Sequence, residues 1–322
     1  MQSMCTCFML ILEAFPWVCK PIEPSIVTIF AFYGFYKSYC IMKIQGFNIA
    51  NFKIDGGAMF GVVPKMMWHK RYPADENNLI PLSLRSLVIE TEGRVILIDD
   101  GIGDKQDEKF FSHVHLFGGD GLVEGLDKLG YTPSDITDVI LTHLHYDHCG
   151  GTIKLNAMGE PELTFPNAKV HISREQWEWA INPNMREADS FLKENLLPIK
   201  DLGALNLIEG EGWFMPGIEL RFFGGHTKGQ MVPIIHHPSG KTLVFAADLF
   251  PFSTHIHPVW NMSYDVEPLN TMIEKEAFVK EAYEKGYIIY FQHDYYNECA
   301  TLTSTPKGIR TGEFISLNDV IA

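Results

Sequence analysis

Cysteine is scarce where a disulfide framework would need it. The 322-residue chain has six, Cys5, Cys7, Cys19, Cys40, Cys149 and Cys299; four fall in the first 40 positions and two in the other 282. That distribution excludes a disulfide-stapled scaffold for the main body and suits a reducing, cytoplasmic compartment. Cys5-Thr6-Cys7 has no matching pair elsewhere for a zinc finger. Basic charge is short as well: 26 Lys and Arg stand against 40 Asp and Glu, a formal charge of −14. Such a balance repels phosphate backbones and anionic membranes, which disfavours a nucleic-acid partner. Long apolar runs are missing too. In the first 41 residues the longest uncharged stretch, Pro24 to Tyr36, falls short of the roughly 20 residues of a membrane span, so stable membrane insertion is not expected. That segment has no Lys or Arg before Lys20, Glu13 cuts its apolar run, and no small-residue cleavage site follows, which argues against a signal peptide. The serine-hydrolase pattern GxSxG does not occur.

Residues 1–41 carry four charged residues, Glu13, Lys20, Glu23 and Lys37. They read as an extension outside the domain, translated from upstream of a start at Met42, with secretion or anchoring as the alternative. Residues 42–322 then form one domain, with homo-oligomerisation left open. A chain with 46% hydrophobic and 20% charged residues has the balance of a globular fold with a sizeable core. "SLRSLVIETEGRVILIDDG" predicts a hairpin about Glu92-Gly93. "DGLVEGLDKLG" predicts a helix that stops at Gly130. "SDITDVILTH", "AKVHIS", "IELRFF", "KTLVFAA" and "YIIYF" read as strands. "REQWEWAI" and "TMIEKEAFVKEAYEKG" read as helices, the second opened by a Thr271–Glu274 capping box. Mixed alternation of this kind predicts a layered α/β domain.

What the chain has in abundance is concentrated. "THLHYDHCGG" places three histidines and an aspartate in six positions, His143 to His148, directly after a strand. Three more polar residues, His226, Asp248 and His293, also stand just past strand ends. Strand ends on one sheet edge converge, and imidazoles with carboxylates suit zinc, manganese, iron or cobalt. His143 and His145 alternate along an extended segment and point the same way. Asp147 and His148 follow a turn and face a second metal, with Gly150-Gly151 allowing the chain to bend tightly. His113-Val114-His115 repeats the spacing without the context and reads as structural, as do His171 and His236-His237. Cys149 reads as a packing residue. Asp99 is placed to accept a hydrogen bond from His145.

With "HLHYDH", "GGHTKG", "AADLF" and "FQHD", the chain resembles the metallo-β-lactamase fold superfamily over residues 42 to about 300. The resemblance implies an αββα sandwich with a dinuclear site at one edge. One metal would take His143, His145 and His226, the other Asp147, His148 and His293, with Asp248 as the bridge. "DGGAMFGVVPKMMW" and "HIHPVWNMSYDVEP" look like the branch of quorum-quenching N-acyl homoserine lactone lactonases. In that branch a tyrosine often lies three residues after the bridging aspartate; here the position is Pro251, which moves the role elsewhere, to His255 or Tyr264.

Two cations about 3.5–4 Å apart hold a bridging hydroxide near neutral pH and polarise a carbonyl or phosphoryl oxygen. Asp147 would carry the proton to the leaving group. Met59, Phe60, Trp68, Phe250 and Trp260 either line an apolar substrate pocket or belong to the core. The expected activity is hydrolysis of small lactones or esters with two divalent ions, zinc first. Thioester hydrolysis of the glyoxalase type and organophosphate or aryl ester hydrolysis are the near alternatives. A mononuclear iron persulfide dioxygenase is the alternative from another reaction class, and Asp147 with His293 weigh against it. A nuclease is disfavoured by the charge.

Overall fold

The structure, a computed structural model, describes residues 42–321; the reading of residues 1–41 lies outside them. Its chain runs through β1 (Met42–Asp55), β2 (Leu79–Thr91), β3 (Arg94–Ile98), β4 (Asp138–Ile140), the hairpin β5 (Ile153–Leu155) and β6 (Pro161–Leu163), β7 (Lys169–Ser173) and β8 (Leu205–Ile208). A second group follows: β9 (Gly212–Met215), β10 (Ile218–Phe223), β11 (Gln230–His236), β12 (Thr242–Phe245), β13 (Ile288–Tyr290), β14 (Cys299–Thr305) and β15 (Gly308–Ile315). The first sheet has the order β1-β2-β3-β4-β7-β8, the second β15-β14-β13-β12-β11-β10-β9.

Alternation along the strands explains the layering. Ile140 points between the sheets, where Ile44, Leu87 and Ile98 meet Leu220, Ile235, Phe245 and Tyr290. Its neighbour Val139 faces the opposite way, into a cluster with Leu126, Trp177 and Leu196 from the helices Leu122–Leu129, Arg174–Ile181 and Lys193–Asp201. In the second sheet Val244 and Ile289 turn outward against Phe278, Val279 and Ala282 of the helix Pro268–Lys285. Both faces of each central strand are buried, so the strands read as continuous apolar runs rather than alternating ones. The result is helices outside two facing sheets, the αββα sandwich.

Local signals act as their chemistry requires. Glu92 and Gly93 take φ 50° and 74°, as a two-residue hairpin turn of right-handed strands demands, and Gly130 caps its helix in the left-handed region at φ 89°. Two expectations need correction. The helix Pro268–Lys285 begins earlier than its predicted capping box, with Pro268 in the first turn. The Thr271 hydroxyl donates to Glu267 O instead, and Glu274 accepts from the backbone N–H of Gly224 and Gly225 at 2.8 and 3.0 Å, which anchors the loop before His226. Gly150 and Gly151 are needed for close approach, not for a bend through positive φ. A Cβ on Gly150 would collide with Ile102 O, and one on Gly151 with Asp100 O.

Strands β3, β4, β7 and β8 run parallel, as do β12 and β13. Their carboxyl ends open at one edge, the usual place for a site in such sheets. Among the described residues no helix is long and apolar enough to cross a membrane.

Candidate metal centre

The loops after β4, β10, β12 and β13 carry His143 to His148, His226, Asp248 and His293 to one place. His143 Nε2 lies 3.1 Å from His145 Nδ1, which lies 3.2 Å from His226 Nε2. Beside them His148 Nε2 is 3.1 Å from His293 Nε2, and Asp147 Oδ2 is 3.7 Å from each. Asp248 joins the two groups: Oδ2 is 3.2 Å from His226 Nε2 and Oδ1 is 3.2 Å from His293 Nε2. Ala247 takes φ 44°, a left-handed conformation unfavourable for alanine that turns Asp248 inward.

The outer nitrogens decide what the inner ones are. His145 Nε2 faces Glu187 Oε1 at 3.4 Å, His148 Nδ1 faces Asp99 Oδ2 at 2.9 Å, and His226 Nδ1 faces Asp265 Oδ1 at 3.0 Å. His293 Nδ1 donates to Ser83 O at 2.8 Å. The Thr142 hydroxyl donates to Asp99 Oδ2, so it accepts from His143 Nδ1 at 3.1 Å. Each imidazole therefore spends its N–H outward, and bare lone pairs face one another across about 3 Å in the centre. Uncompensated, those contacts repel; a cation between them turns the repulsion into coordination. Asp248 Oδ1 is buried without a hydrogen-bond donor, as a metal-bridging oxygen would be. The donor set therefore fits divalent metal, and outward N–H groups of this kind fix ligand orientation.

Electrostatics agree in direction. Burial and the other imidazoles hold His143 well below its ordinary value, and burial lowers His145. Burial also pulls His148 down, but Asp147, Asp248 and Asp99 outweigh it and lift it to about 9. The field that attracts a proton there attracts a metal cation equally.

Asp99 thus supports His148, not His145 as expected; His145 is held by Glu187, which also accepts from Trp179 Nε1 at 2.6 Å and Asn184 Nδ2 at 2.8 Å. Above the centre opens a cleft of about 280 Å³. Met59 lines it, as do Phe52, Ile54, Leu82, Met262 and Tyr264. The other residues expected there do not. Phe60 is fully buried, stacked between Trp68 and His255 at 5.1 and 5.2 Å and edge-on to Trp260 at 5.8 Å. His255 donates from Nε2 to Met59 O at 2.9 Å. Phe250 packs on Phe278 in the outer cluster of the second sheet. These aromatics form the wall behind the cleft, because their rings gain more from stacking on each other than from facing solvent. His113 and His115 are exposed on a separate helix and its cap. His171 bonds Asp138 at 2.7 Å, far from the cluster in role, and Cys149 is buried core.

The sequence model of the metallo-beta-lactamase superfamily matches residues 81–293, most of the chain. The chain belongs to the metallo-β-lactamase superfamily. An N-acyl homoserine lactonase from a Bacillus species is 28% identical over 229 residues, 67% of this chain and 83% of that protein. An N-acyl homoserine lactonase from Rhizobium radiobacter is 26% identical over 132 residues, 40% of this chain and 46% of that protein. Among solved structures, a probable metal-dependent hydrolase from Staphylococcus aureus superposes with a TM-score of 0.77 at 31% identity, over 85% of this chain and 96% of that one. A dizinc quorum-quenching lactonase in complex with a product has the same fold, with a TM-score of 0.70 at 20% identity over 85% and 96%. This member of the superfamily is a hydrolase related to the lactonases, with a histidine and aspartate metal site.

Proposed function

We propose that the protein is a dinuclear metal-dependent hydrolase of small lactones and esters, with zinc as its ion. One observation carries this reading: two groups of facing lone pairs, His143–His145–His226 and Asp147–His148–His293, share Asp248 at the floor of a cleft whose walls include Phe52, Ile54, Leu82 and Met262. A pair of divalent cations held there supplies an activated water near neutral pH and polarises an acyl oxygen. Asp147 lines the cleft with its carboxylate beside His148 and His293, which suits it to pass a proton to the leaving alkoxide. Pro251 is not in the cleft lining, while Tyr264 is. Burial, then Asp55 and Asp147, push the Tyr264 hydroxyl up to about 12, so at neutral pH it is a proton-bearing donor for a substrate carbonyl. Ile54, Met59 and Met262 favour an acyl chain. The partner is a small molecule, and with Arg186 as the one Lys or Arg lining the cleft among the described residues, the site favours neither a nucleic acid nor a glutathione thioester.

The test is elemental analysis of protein purified without chelator, joined to a panel of lactones, aryl esters, thioesters and phosphotriesters. Two zinc-like ions per chain with lactone turnover are expected. One iron per chain would overturn the dinuclear reading in favour of the dioxygenase. Turnover of thioesters or phosphotriesters without lactones would overturn the substrate.

A further inference from the structure

A second cavity, of about 360 Å³, lies behind the cleft between the Ser253–Ile256 turn and the β14–β15 hairpin. Its charge is opposite to that of the molecule. Arg71, Lys307, Arg310 and His257 line it, and no acidic side chain does among the described residues. In a chain with net charge −14, three cations, Arg71 and Lys307 exposed and Arg310 half-buried, stand around one hollow with no carboxylate within ion-pair distance among the described residues, a locally positive surface that an anion would complement. Arg71 lies over the Trp260 ring at 5.8 Å, and Arg310 is held by the carbonyls of Ile309 and Lys307 at 2.6 and 2.5 Å. These contacts fix the guanidinium groups in place and leave their charge unopposed.

Three neighbours add direction. Thr254 lines the cavity with its hydroxyl buried behind the surface, so the wall there offers no competing acceptor. His257 Nδ1 accepts from Val259 N at 3.3 Å, which leaves Nε2–H as its donor. Its ring stacks on Trp260 at 6.2 Å. Burial, then Arg310, Lys275 and Arg71, hold His257 below its ordinary value, which registers the positive potential inside.

We propose that this cavity binds a small phosphate monoester. A tetrahedral dianion offers three acceptor oxygens, matching two guanidinium groups, one ammonium and an imidazole N–H better than a planar monoanionic carboxylate would. The volume exceeds what bare phosphate needs and is within the usual range for small-ligand sites. The cavity shares the segment 253–264 with the cleft, since Ser253, Thr254, His257 and Trp260 face the one and Met262, Ser263 and Tyr264 the other. It is separate from the metal ligands, and the proposal does not depend on the substrate assigned above.

The experiment is calorimetric titration of the metal-loaded protein with ribose 5-phosphate, AMP, inorganic phosphate and citrate at low and high salt. Saturable binding of the monoesters, weakened by salt and stronger than that of inorganic phosphate or citrate, is expected. Lys307→Gln and Arg310→Gln should each weaken it by about tenfold, with hydrolase turnover and melting temperature unchanged. Undiminished binding in both variants would overturn the site by placing the phosphate elsewhere, at the metals for example. Absence of monoester binding, or citrate binding equally well, would overturn the assigned ligand.

Discussion

Asp99 Oδ2 accepts from His148 Nδ1 at 2.9 Å, and both side chains are fully buried. The same carboxylate takes the Thr142 N–H at 2.7 Å and its hydroxyl at 2.8 Å, and that hydroxyl in turn accepts from His143. One acid thus orients a ligand of each group. Its backbone lies at φ 55°, a region Asn tolerates as well as Asp. Asp99→Asn therefore keeps the backbone and removes the charge. Metal affinity should fall by about 10–100-fold, the usual cost of losing such a partner, as read by chelator competition. Unchanged affinity would show that Asp99 only packs.

Asp147→Asn tests the proton role. The amide still offers an oxygen near His148 and His293 but cannot pass a proton. Turnover should drop by about 10²–10⁴, the worth of general acid–base catalysis, with metal content retained and KM little changed. Near-normal kcat would remove Asp147 from the chemistry.

The seven central side chains were legible because each follows a strand whose apolar run is unmistakable, and strands that run in the same direction end at the same edge even where, as for β10, their immediate neighbours are antiparallel. Their supports were not. Glu187 and Asp265 reach His145 and His226 from 42 and 39 residues away, on loops without periodicity, and Ser83 contributes only a carbonyl. Residue type gave no signal for any of the three. Tyr146 sits inside the histidine motif and lines the cleft, a signal that was available. The aromatic residues misled for a physical reason: Phe60, Trp68 and Trp260 are near cleft residues in sequence, but large rings fill the wall, while the half-buried Ile54 and the buried Met59 form the cleft lining. Thr271 and Glu274 matched a capping pattern that Pro268 pre-empts, since proline suits a helix's first turn.

Asp100 gives a pH test. Burial pushes its carboxyl up to about 7, against hydrogen bonds from the Thr152 hydroxyl and the Gly151 N–H. An unfolded aspartate titrates near 3.9, so between roughly pH 4 and 7 the folded state holds the extra proton. This group's stabilising contribution is therefore complete below pH 4 and is lost as pH rises to 7. Asp100→Asn cannot titrate. Denaturant midpoints measured from pH 5 to 8 should fall less steeply in the variant than in the wild type. Parallel curves would mean that Asp100 stays ionised in the fold.

Selectivity separates the cleft from the wall behind it. Met59 lines the cleft, whereas Phe60, the next residue, is sealed between Trp68 and His255. If acyl chains lie along Ile54, Met59 and Met262, lactones with longer chains should show higher kcat/KM, by roughly 1–3 kcal/mol per methylene at best. Met59→Ala widens that surface and removes contacts that report chain length, so the trend should flatten while metal content holds; Met59 is itself buried, so stability should also fall, by about 2–5 kcal/mol. Phe60→Ala leaves the lining intact and opens a hole among five ring neighbours, Trp68, Tyr72, Phe252, His255 and Trp260, which should lower stability by about 3–5 kcal/mol. At temperatures where that variant stays folded, its chain-length trend should match the wild type. The reverse pattern, with Phe60→Ala flattening the trend and Met59→Ala leaving it intact, would place the acyl chain in the aromatic wall rather than in the cleft.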